Sequence, residues 1–231
     1  MAVFRLNEKH TTPVALTASG LYLCAVLLFF LPVEYPHKIT FCVSILTIAS
    51  LWLCPWQITL ALLFSTLGDH MGSCGNFLGQ MGFFGLGHIF YITYFTGRYF
   101  RKVKPDRKLT AKAKGYLAMV MFCTLAILCA AFFIIAPEAP GGIIRIGVCI
   151  YAVIISIMLV TAMLQRSSIF ALGAILFVFS DFILAWNKFV EPVPYRHYLV
   201  LVSYFLAQWL LFFRATNTLW HDIGKSQCAL S

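Results

Sequence analysis

Acidic side chains are scarce in this chain of 231 residues, with eight aspartates and glutamates against 17 lysines and arginines. Charged residues make up 11% of the sequence and hydrophobic residues 61%, a balance that excludes an ordinary soluble domain. The sequence also lacks a G-x-S-x-G nucleophile motif, an H-E-x-x-H zinc motif, a C-x-x-C pair and a glycine-rich phosphate loop. Serine hydrolases, zincins and P-loop enzymes are therefore without support.

Long apolar runs dominate the sequence instead. A transmembrane helix needs about 17–25 predominantly apolar residues. Runs of roughly this length occur at residues 13–32, 37–54, 56–72, 76–97, 115–136, 143–163, 168–187 and 197–217. The second run meets the third at Cys54-Pro55-Trp56, where only Pro55 lies between them. We therefore predict an all-α polytopic membrane protein with eight transmembrane helices, and seven as the alternative count.

Basic residues between the runs indicate the orientation in the membrane. Residues 98–114 carry eight of the 17 lysines and arginines, and cytoplasmic loops are enriched in these residues. We predict that both termini are cytoplasmic and that the positive charge sets topology rather than binding nucleic acid. The first run is too long for a signal-peptide core, so we expect it to be retained. A bacterial inner membrane is the expected location.

The eight cysteines are scattered, mostly inside the apolar runs. Buried thiols behave as small apolar groups, so we assign the cysteines no redox or metal role. Cys74 lies near the predicted outer surface, and we expect it to be a free thiol.

A weak internal repeat relates the two halves of the chain. Residues 61–69 align with residues 173–181 at a constant offset of 112, and the classes of side chain match at most positions. The chain would then be one integral membrane domain built from two parallel four-helix repeats, 1–114 and 115–231. Their symmetry axis would lie along the membrane normal.

Each repeat segment ends in an aspartate, Asp69 or Asp181. A carboxylate at the centre of a bilayer costs at least about 2.5–3.5 kcal/mol, so one without a partner or a role is unexpected. Asp69 follows Trp56 at the same interval at which Asp181 follows Ser168, and this predicts equal depth in the membrane. We therefore predict a functional site at the two carboxyl groups.

Other polar side chains in the apolar runs are candidates to support this site. His88 and Tyr91 are three residues apart, and Tyr204 and Gln208 are four apart, spacings that place each pair on one face of a helix. Each candidate also has an ordinary structural role, such as an interhelical hydrogen bond or, for the lysine, an interfacial anchor. The supporting set is Lys38, His88, Tyr91, Tyr151, Asn187, Tyr204 and Gln208.

Two buried carboxyl groups suit acid–base hydrolysis. When two such groups share a site, one stays protonated as the acid while the other is ionised as the base. We predict no metal at this site. His70 and His88 flank Asp69 in the sequence, however, and this leaves a metal open as an alternative.

The ordered motifs Gly68-Asp69, Gly87-His88-Ile89-Phe90-Tyr91, Ser180-Asp181 and Tyr204-Phe205-Leu206-Ala207-Gln208 resemble those of the YhhN-like transmembrane lysoplasmalogenases. The resemblance runs from about residue 38 to residue 214. Lys38 is similar to a lysine of that family, although Ile39 follows it where the family usually has proline.

The resemblance implies hydrolysis of the vinyl ether bond of a lysoplasmalogen. The products would be a fatty aldehyde and glycerophosphocholine or glycerophosphoethanolamine. Asp69 and Asp181 would be catalytic, no cofactor would be needed, and the lysophospholipid would enter from the bilayer. Lys38 would attract its phosphate, while His88, Tyr91, Asn187 and Gln208 would position water or tune the aspartates.

Two other functions remain open. A proton-coupled transporter would also have parallel repeats and intramembrane acids, but it would be expected to have broken helices near the aspartates. A zinc-dependent lipid amidase would use His70, His88 and the aspartates and would be inhibited by chelators. The headgroup preference, the oligomeric state and the division of roles between the aspartates are not fixed by the sequence.

Overall fold

The computed structural model describes residues 8–32, 37–103 and 111–228, with side chains for residues 13–32, 37–101 and 114–217. The described chain is helical, without a strand, and each predicted apolar run coincides with one helix. The helices are α1 (Glu8–Phe30), α2 (Lys38–Leu53), α3 (Trp56–Ser73), α4 (Phe77–Arg98), α5 (Ala111–Ala130), α6 (Ile143–Met163), α7 (Ser168–Phe189) and α8 (Arg196–Cys228). Residues 104–110, in the middle of the predicted basic stretch, lie outside the described residues.

Pro55 separates α2 from α3. Proline disfavours the helical conformation in the residue before it, and Cys54 is extended with φ −122° and ψ 160°. Pro55 itself is the N-cap of α3, where its missing N–H costs nothing. The second and third apolar runs are therefore separate helices, as predicted.

A second proline explains the irregular end of α5. The helix continues through a π-helical turn, Ala131–Ile135, into a last short helical turn at Ala136–Glu138. Pro137 lies in that turn, where its ring and missing N–H disturb the hydrogen bonds of the preceding turn. The helical segment from Ala111 to Glu138 therefore has no break, only a change in its hydrogen-bond pattern.

The chain divides into two compact units. Unit 1 contains residues 1–90 and 208–231, and unit 2 contains residues 91–207, so the divisions fall inside α4 and α8. The predicted halves, 1–114 and 115–231, and their parallel repeat symmetry stay predictions.

In unit 1, α2 and α3 form a tight antiparallel hairpin. The Thr59 hydroxyl donates to the Ser50 carbonyl over 3.0 Å, and further along the hairpin the hydroxyls of Thr47 and Thr66 lie 2.9 Å apart. Near the start of α2, the Cys42 thiol donates to the carbonyl of Ala25 in α1 over 3.4 Å. These bonds satisfy polar groups inside an apolar helix bundle.

In unit 2, polar bonds join the end of α4 to the end of α6. The Arg98 guanidinium donates to Gln165 Oε1 over 2.9 Å, and Gln165 Nε2 donates to the Phe95 carbonyl over 2.9 Å.

A hydrogen bond also joins α7 to α8 in this unit. The Ser180 hydroxyl, immediately before Asp181, donates to the Val200 carbonyl over 3.0 Å. The residue directly before Asp181 is therefore held against α8 by a hydrogen bond.

Five of the described helical segments are long and apolar enough to cross a membrane: 13–30, 114–138, 143–163, 168–189 and 196–217. α2 is apolar but shorter. α3 and α4 have sufficient length but contain more polar residues, including Asp69 and His88. The chain therefore has the helices of an integral membrane protein, and the count of eight spans stays a prediction.

Candidate active site

Asp69 lies deep inside unit 1. Its side chain is 1% exposed, and the residue before it, Gly68, also lies buried in α3. A methyl group on Gly68 would come within 3.0 Å of the Phe84 ring, so a glycine here lets α4 pack closely beside the carboxylate. The buried Cys42 thiol of α2 is a neighbour of Asp69.

His88 and Gln208 are the other buried polar candidates of unit 1. They are 1% and 0% exposed, on α4 and α8 respectively. Gly87 allows α4 to approach α3, because a methyl group there would lie 3.1 Å from the Ala61 carbonyl oxygen. Gly87 is therefore a point of close helix approach.

Asp181 is half-buried in unit 2 and has a tyrosine partner. The Tyr151 hydroxyl of α6 donates a hydrogen bond of 2.5 Å to Asp181 Oδ2. The sequence singled out both residues but did not pair them. A phenol that donates to one carboxylate oxygen orients the carboxyl group, and a carboxylate has further lone pairs that can accept from a substrate or water.

An aromatic cluster lies on the same face of α7 as Asp181. Phe177 is four residues before Asp181, and its ring makes edge contacts with Tyr204 at 5.5 Å and with Tyr91 at 6.5 Å between centroids. Tyr91 and Tyr204 are 0% and 3% exposed. Three of the predicted site residues of unit 2, Tyr91, Tyr151 and Tyr204, therefore surround α7.

Two of the predicted site residues, Asn187 and Lys38, lie outside the buried groups described above. The side-chain carbonyl of Asn187 accepts the backbone N–H of Val193 over 3.0 Å, which stabilises the turn after α7. Lys38 is the first residue of α2 and is partly exposed. The structure thus gives Asn187 a structural contact, and the substrate roles of both residues stay predictions.

An apolar groove of about 330 Å³ lies in unit 2 among α5, α6 and α7. From α7 it is lined by Ile175, Val178, Phe179 and Phe182, so Asp181 lies in the chain between two lining residues. The sequence did not predict this groove, because it depends on how the apolar side chains of three separate helices pack together. The other lining residues are Tyr116, Met119, Val120, Cys123, Ile127, Leu159 and Met163.

Possible metal ligands lie together at one end of the α2–α3 hairpin, within unit 1. His37, His70 and Cys74 place their ligand atoms within 4.8 Å of one another. Cys74 is a free, exposed thiol, as predicted. A signal was present in the sequence, because His70 and Cys74 are four residues apart at the end of a helix. His88, predicted as the partner of His70 in a metal site, is not a member of this group.

The predicted site residues therefore form two groups. Asp69, His88 and Gln208 are buried in unit 1, whereas Asp181 lies with Tyr91, Tyr151 and Tyr204 in unit 2. Each aspartate is the fourteenth residue of its helix, counted from Trp56 in α3 and from Ser168 in α7. That the two carboxyl groups act together stays a prediction.

Known proteins similar to this chain include lysoplasmalogenases from mammals. Lysoplasmalogenase TMEM86A of Bos taurus is 27% identical over 222 residues, 84% of this chain and 85% of the relative. Lysoplasmalogenase TMEM86B of Homo sapiens is 38% identical over 61 residues, 26% of each chain. The Mus musculus TMEM86B is 29% identical over 165 residues, 69% of this chain and 63% of the relative. No solved structure matches the chain significantly.

A family model gives the broader assignment. It matches residues 37–215, which include α2 to α7, most of α8 and every predicted site residue. The resemblance inferred from the ordered motifs is thereby confirmed. This chain belongs to the YhhN family.

Proposed function

We propose that this protein is a lysoplasmalogenase that hydrolyses the vinyl ether bond of a lysophospholipid within the membrane. The observation that carries the proposal is its alignment with bovine lysoplasmalogenase TMEM86A over 84% of the chain. The apolar helices support a lipid substrate that enters laterally from the bilayer. The bacterial inner membrane and cytoplasmic termini are part of the same proposal.

The reaction needs an acid and a base. A proton is added to the vinyl carbon further from the ether oxygen, which gives an oxocarbenium ion. Water then adds to the carbon bonded to oxygen and loses a proton, and the resulting hemiacetal collapses to an aldehyde and an alcohol. One carboxyl group supplies the first proton, and the second stabilises the cation and accepts the proton from water.

We assign the acid to Asp69 and the base to Asp181. Asp181 accepts the hydrogen bond of Tyr151, which suits a carboxylate that acts through its remaining lone pairs. Asp69 is 1% exposed, and a buried surrounding suits a carboxyl group that carries a proton before reaction. The two carboxyl groups are tuned, and water is positioned, by the remaining polar side chains: Tyr91, Tyr204, His88, Gln208 and Asn187. Lys38 attracts the phosphate of the substrate.

We assign the groove of unit 2 to the alkenyl chain of the substrate. The residues that line it are apolar or aromatic, as a hydrocarbon chain requires. Val178, Phe179 and Phe182 line the groove on the helix that carries Asp181, so a chain held there would have its reactive end close to that helical turn.

The transporter alternative receives less support. It would be expected to use broken helices near the intramembrane acids. α3 runs as one α-helix from Trp56 to Ser73, and α7 runs as one α-helix from Ser168 to Phe189. Neither helix contains a proline, so both aspartates lie in regular helix.

The proposal is tested by measuring aldehyde release from purified, detergent-solubilised protein. A 1-alkenyl lysophospholipid should release aldehyde, whereas the matching 1-alkyl lysophospholipid, which lacks the double bond, should not react. In D₂O, with the aldehyde reduced as it forms, the product should carry one deuterium on the carbon next to the former carbonyl. Absence of aldehyde from folded protein, or aldehyde without deuterium, would contradict the proposed mechanism.

A further inference from the structure

A second cluster of reactive side chains, none of them among the proposed catalytic groups, lies within unit 1. His37 precedes α2, while His70 and Cys74 lie in the last turn and at the C-cap of α3. Their ligand atoms are all within 4.8 Å of one another, and Cys74 Sγ is 3.9 Å from His70 Nε2. The mechanism proposed above uses none of the three.

The backbone holds His37 in place for this contact. Its φ of 54° and ψ of 39° are left-handed, a conformation that few residues other than glycine adopt. The turn brings the His37 ring to 4.6 Å from the His70 ring, between centroids, and Nδ1 to 2.7 Å from the Ser73 hydroxyl. The segment before α2 and the end of α3, which are distant in the chain, therefore meet through imidazoles.

The hydrogen bonds also set the tautomer of His37. The Ser73 hydroxyl donates its proton to the His70 carbonyl over 2.8 Å, so it accepts from the Nδ1–H of His37. The lone pair of the His37 ring is then on Nε2. A histidine that donates one ring N–H to a fixed oxygen and keeps a lone pair on its other nitrogen has the usual arrangement of a metal ligand.

Two imidazoles and one thiolate suit a zinc-class cation. Calcium and magnesium prefer oxygen ligands, whereas zinc binds imidazole and thiolate in tetrahedral sites. Bond lengths of about 2.0–2.1 Å to nitrogen and 2.3 Å to sulfur put neighbouring ligand atoms about 3.5 Å apart. The 3.9 Å between Cys74 Sγ and His70 Nε2 needs only a small rotation of an exposed and a half-exposed side chain.

We propose that His37, His70 and Cys74 bind one zinc ion, with water in the fourth position. The ion joins the start of α2 to the end of α3, where His70 directly follows Asp69. The positive charge of Lys38, which follows His37, repels a zinc ion. The negative charge of the Cys74 thiolate offsets this repulsion. The site is independent of the proposed hydrolysis, because it uses none of the residues assigned to the reaction.

Zinc binding is tested with tag-free protein in detergent that has been stripped of metal and desalted. Competition with a chromophoric chelator measures the affinity and the stoichiometry. Wild type should bind one zinc ion per chain, and cobalt should give a thiolate charge-transfer absorption. The Cys74→Ser and His70→Ala variants should bind at least about tenfold more weakly, and Cys74→Ser should lose the cobalt–thiolate band.

Matched variants control for scattered thiols and imidazoles. Cys24→Ser removes another exposed cysteine, and His197→Ala removes another exposed histidine. Both should bind zinc as wild type does. Wild type without stoichiometric zinc, or Cys74→Ser and His70→Ala variants with unchanged affinity, would overturn the site. Neither readout involves substrate, so failure here is separate from failure of the aldehyde assay.

Discussion

The two aspartates occupy different surroundings. Asp69 is enclosed by the helices of unit 1 and is 1% exposed, whereas Asp181 is half-buried and bonded to Tyr151. Both were visible in the sequence, since a carboxyl group inside an apolar run is costly and therefore conspicuous. The hydrogen bond from Tyr151 could not be predicted from the sequence, because it depends on which faces of α6 and α7 pack against each other.

The Tyr151→Phe variant tests the hydrogen bond to Asp181. The substitution keeps the ring and removes the donor, so we expect kcat to fall about tenfold, in line with the strength of a hydrogen bond to a charged group. The fall should be smaller than that of Asp181→Asn. Tyr195→Phe, at an exposed tyrosine of the same unit, is the control and should keep wild-type kcat. Equal kcat in Tyr151→Phe and wild type would exclude a role for this bond in the reaction.

His37 shows where residue-level prediction from sequence ends. The i, i+4 spacing of His70 and Cys74 could be read from the sequence, but the third ligand comes from a left-handed turn that precedes α2. No periodicity predicts such a turn. The expectation that cysteines have no metal role rested on their scatter, which says nothing about contacts between distant segments.

At the scale of the helices, hydropathy predicted the boundaries of α6 and α7 closely, whereas α1 begins before its predicted run and α8 ends after it. The predicted runs 143–163 and 168–187 correspond to Ile143–Met163 and Ser168–Phe189. The π-helical turn in the fifth segment was not predicted, although Pro137 gives its physical reason. The boundaries of a helix follow from the local composition of the sequence. An irregular turn also depends on how neighbouring helices pack around the backbone groups that lose their regular hydrogen bonds.

Gly87 provides a test of helix packing in unit 1. A valine there would press against the Ala61 carbonyl of α3, and such overpacking typically costs about 1–3 kcal/mol. We therefore expect Gly87→Val to lower the thermal midpoint of the detergent-solubilised protein. Gly82→Val is the matched control in the same helix, because nothing lies within 4 Å of a methyl group at that position. Equal midpoints for the two variants would contradict the close approach of α3 and α4.

The groove of unit 2 provides a test at the same scale. Cys123→Trp fills the groove from α5, so KM for a long-chain substrate should rise on the order of tenfold through lost apolar burial, with little change in kcat. A short-chain substrate should be affected less. Met121→Trp places the same side chain on an exposed part of α5 that does not line the groove. If both variants raise KM equally, the chain does not bind in the groove.

For the whole molecule, the number of spans decides the topology. Five described segments meet the length and hydropathy of a span, and the helices that fall short include α3 and α4, which carry Asp69 and His88. Polar site residues lower the hydropathy of the helix that contains them. A sequence criterion therefore underestimates spans at a site inside a membrane.

Reporter fusions distinguish eight spans from five. With eight spans and a cytoplasmic N-terminus, alkaline phosphatase fused after Gly142 should be active, and a fluorescent protein fused after Arg166 should fluoresce. With only the five apolar segments crossing, both results reverse, because α2 to α4 would no longer return the chain to the cytoplasmic side. A fluorescent fusion after Asn217 gives the third reading and should match that after Arg166.

Aldehyde release by the wild type beside Asp69→Asn and Asp181→Asn tests the central claim most directly. Asparagine keeps the shape of the side chain but can neither donate the acid proton nor accept one from water. We predict aldehyde from the wild type and a fall of about 10²–10⁴-fold in kcat for each folded variant. A rate near that of the wild type in either variant would contradict the proposed carboxyl mechanism.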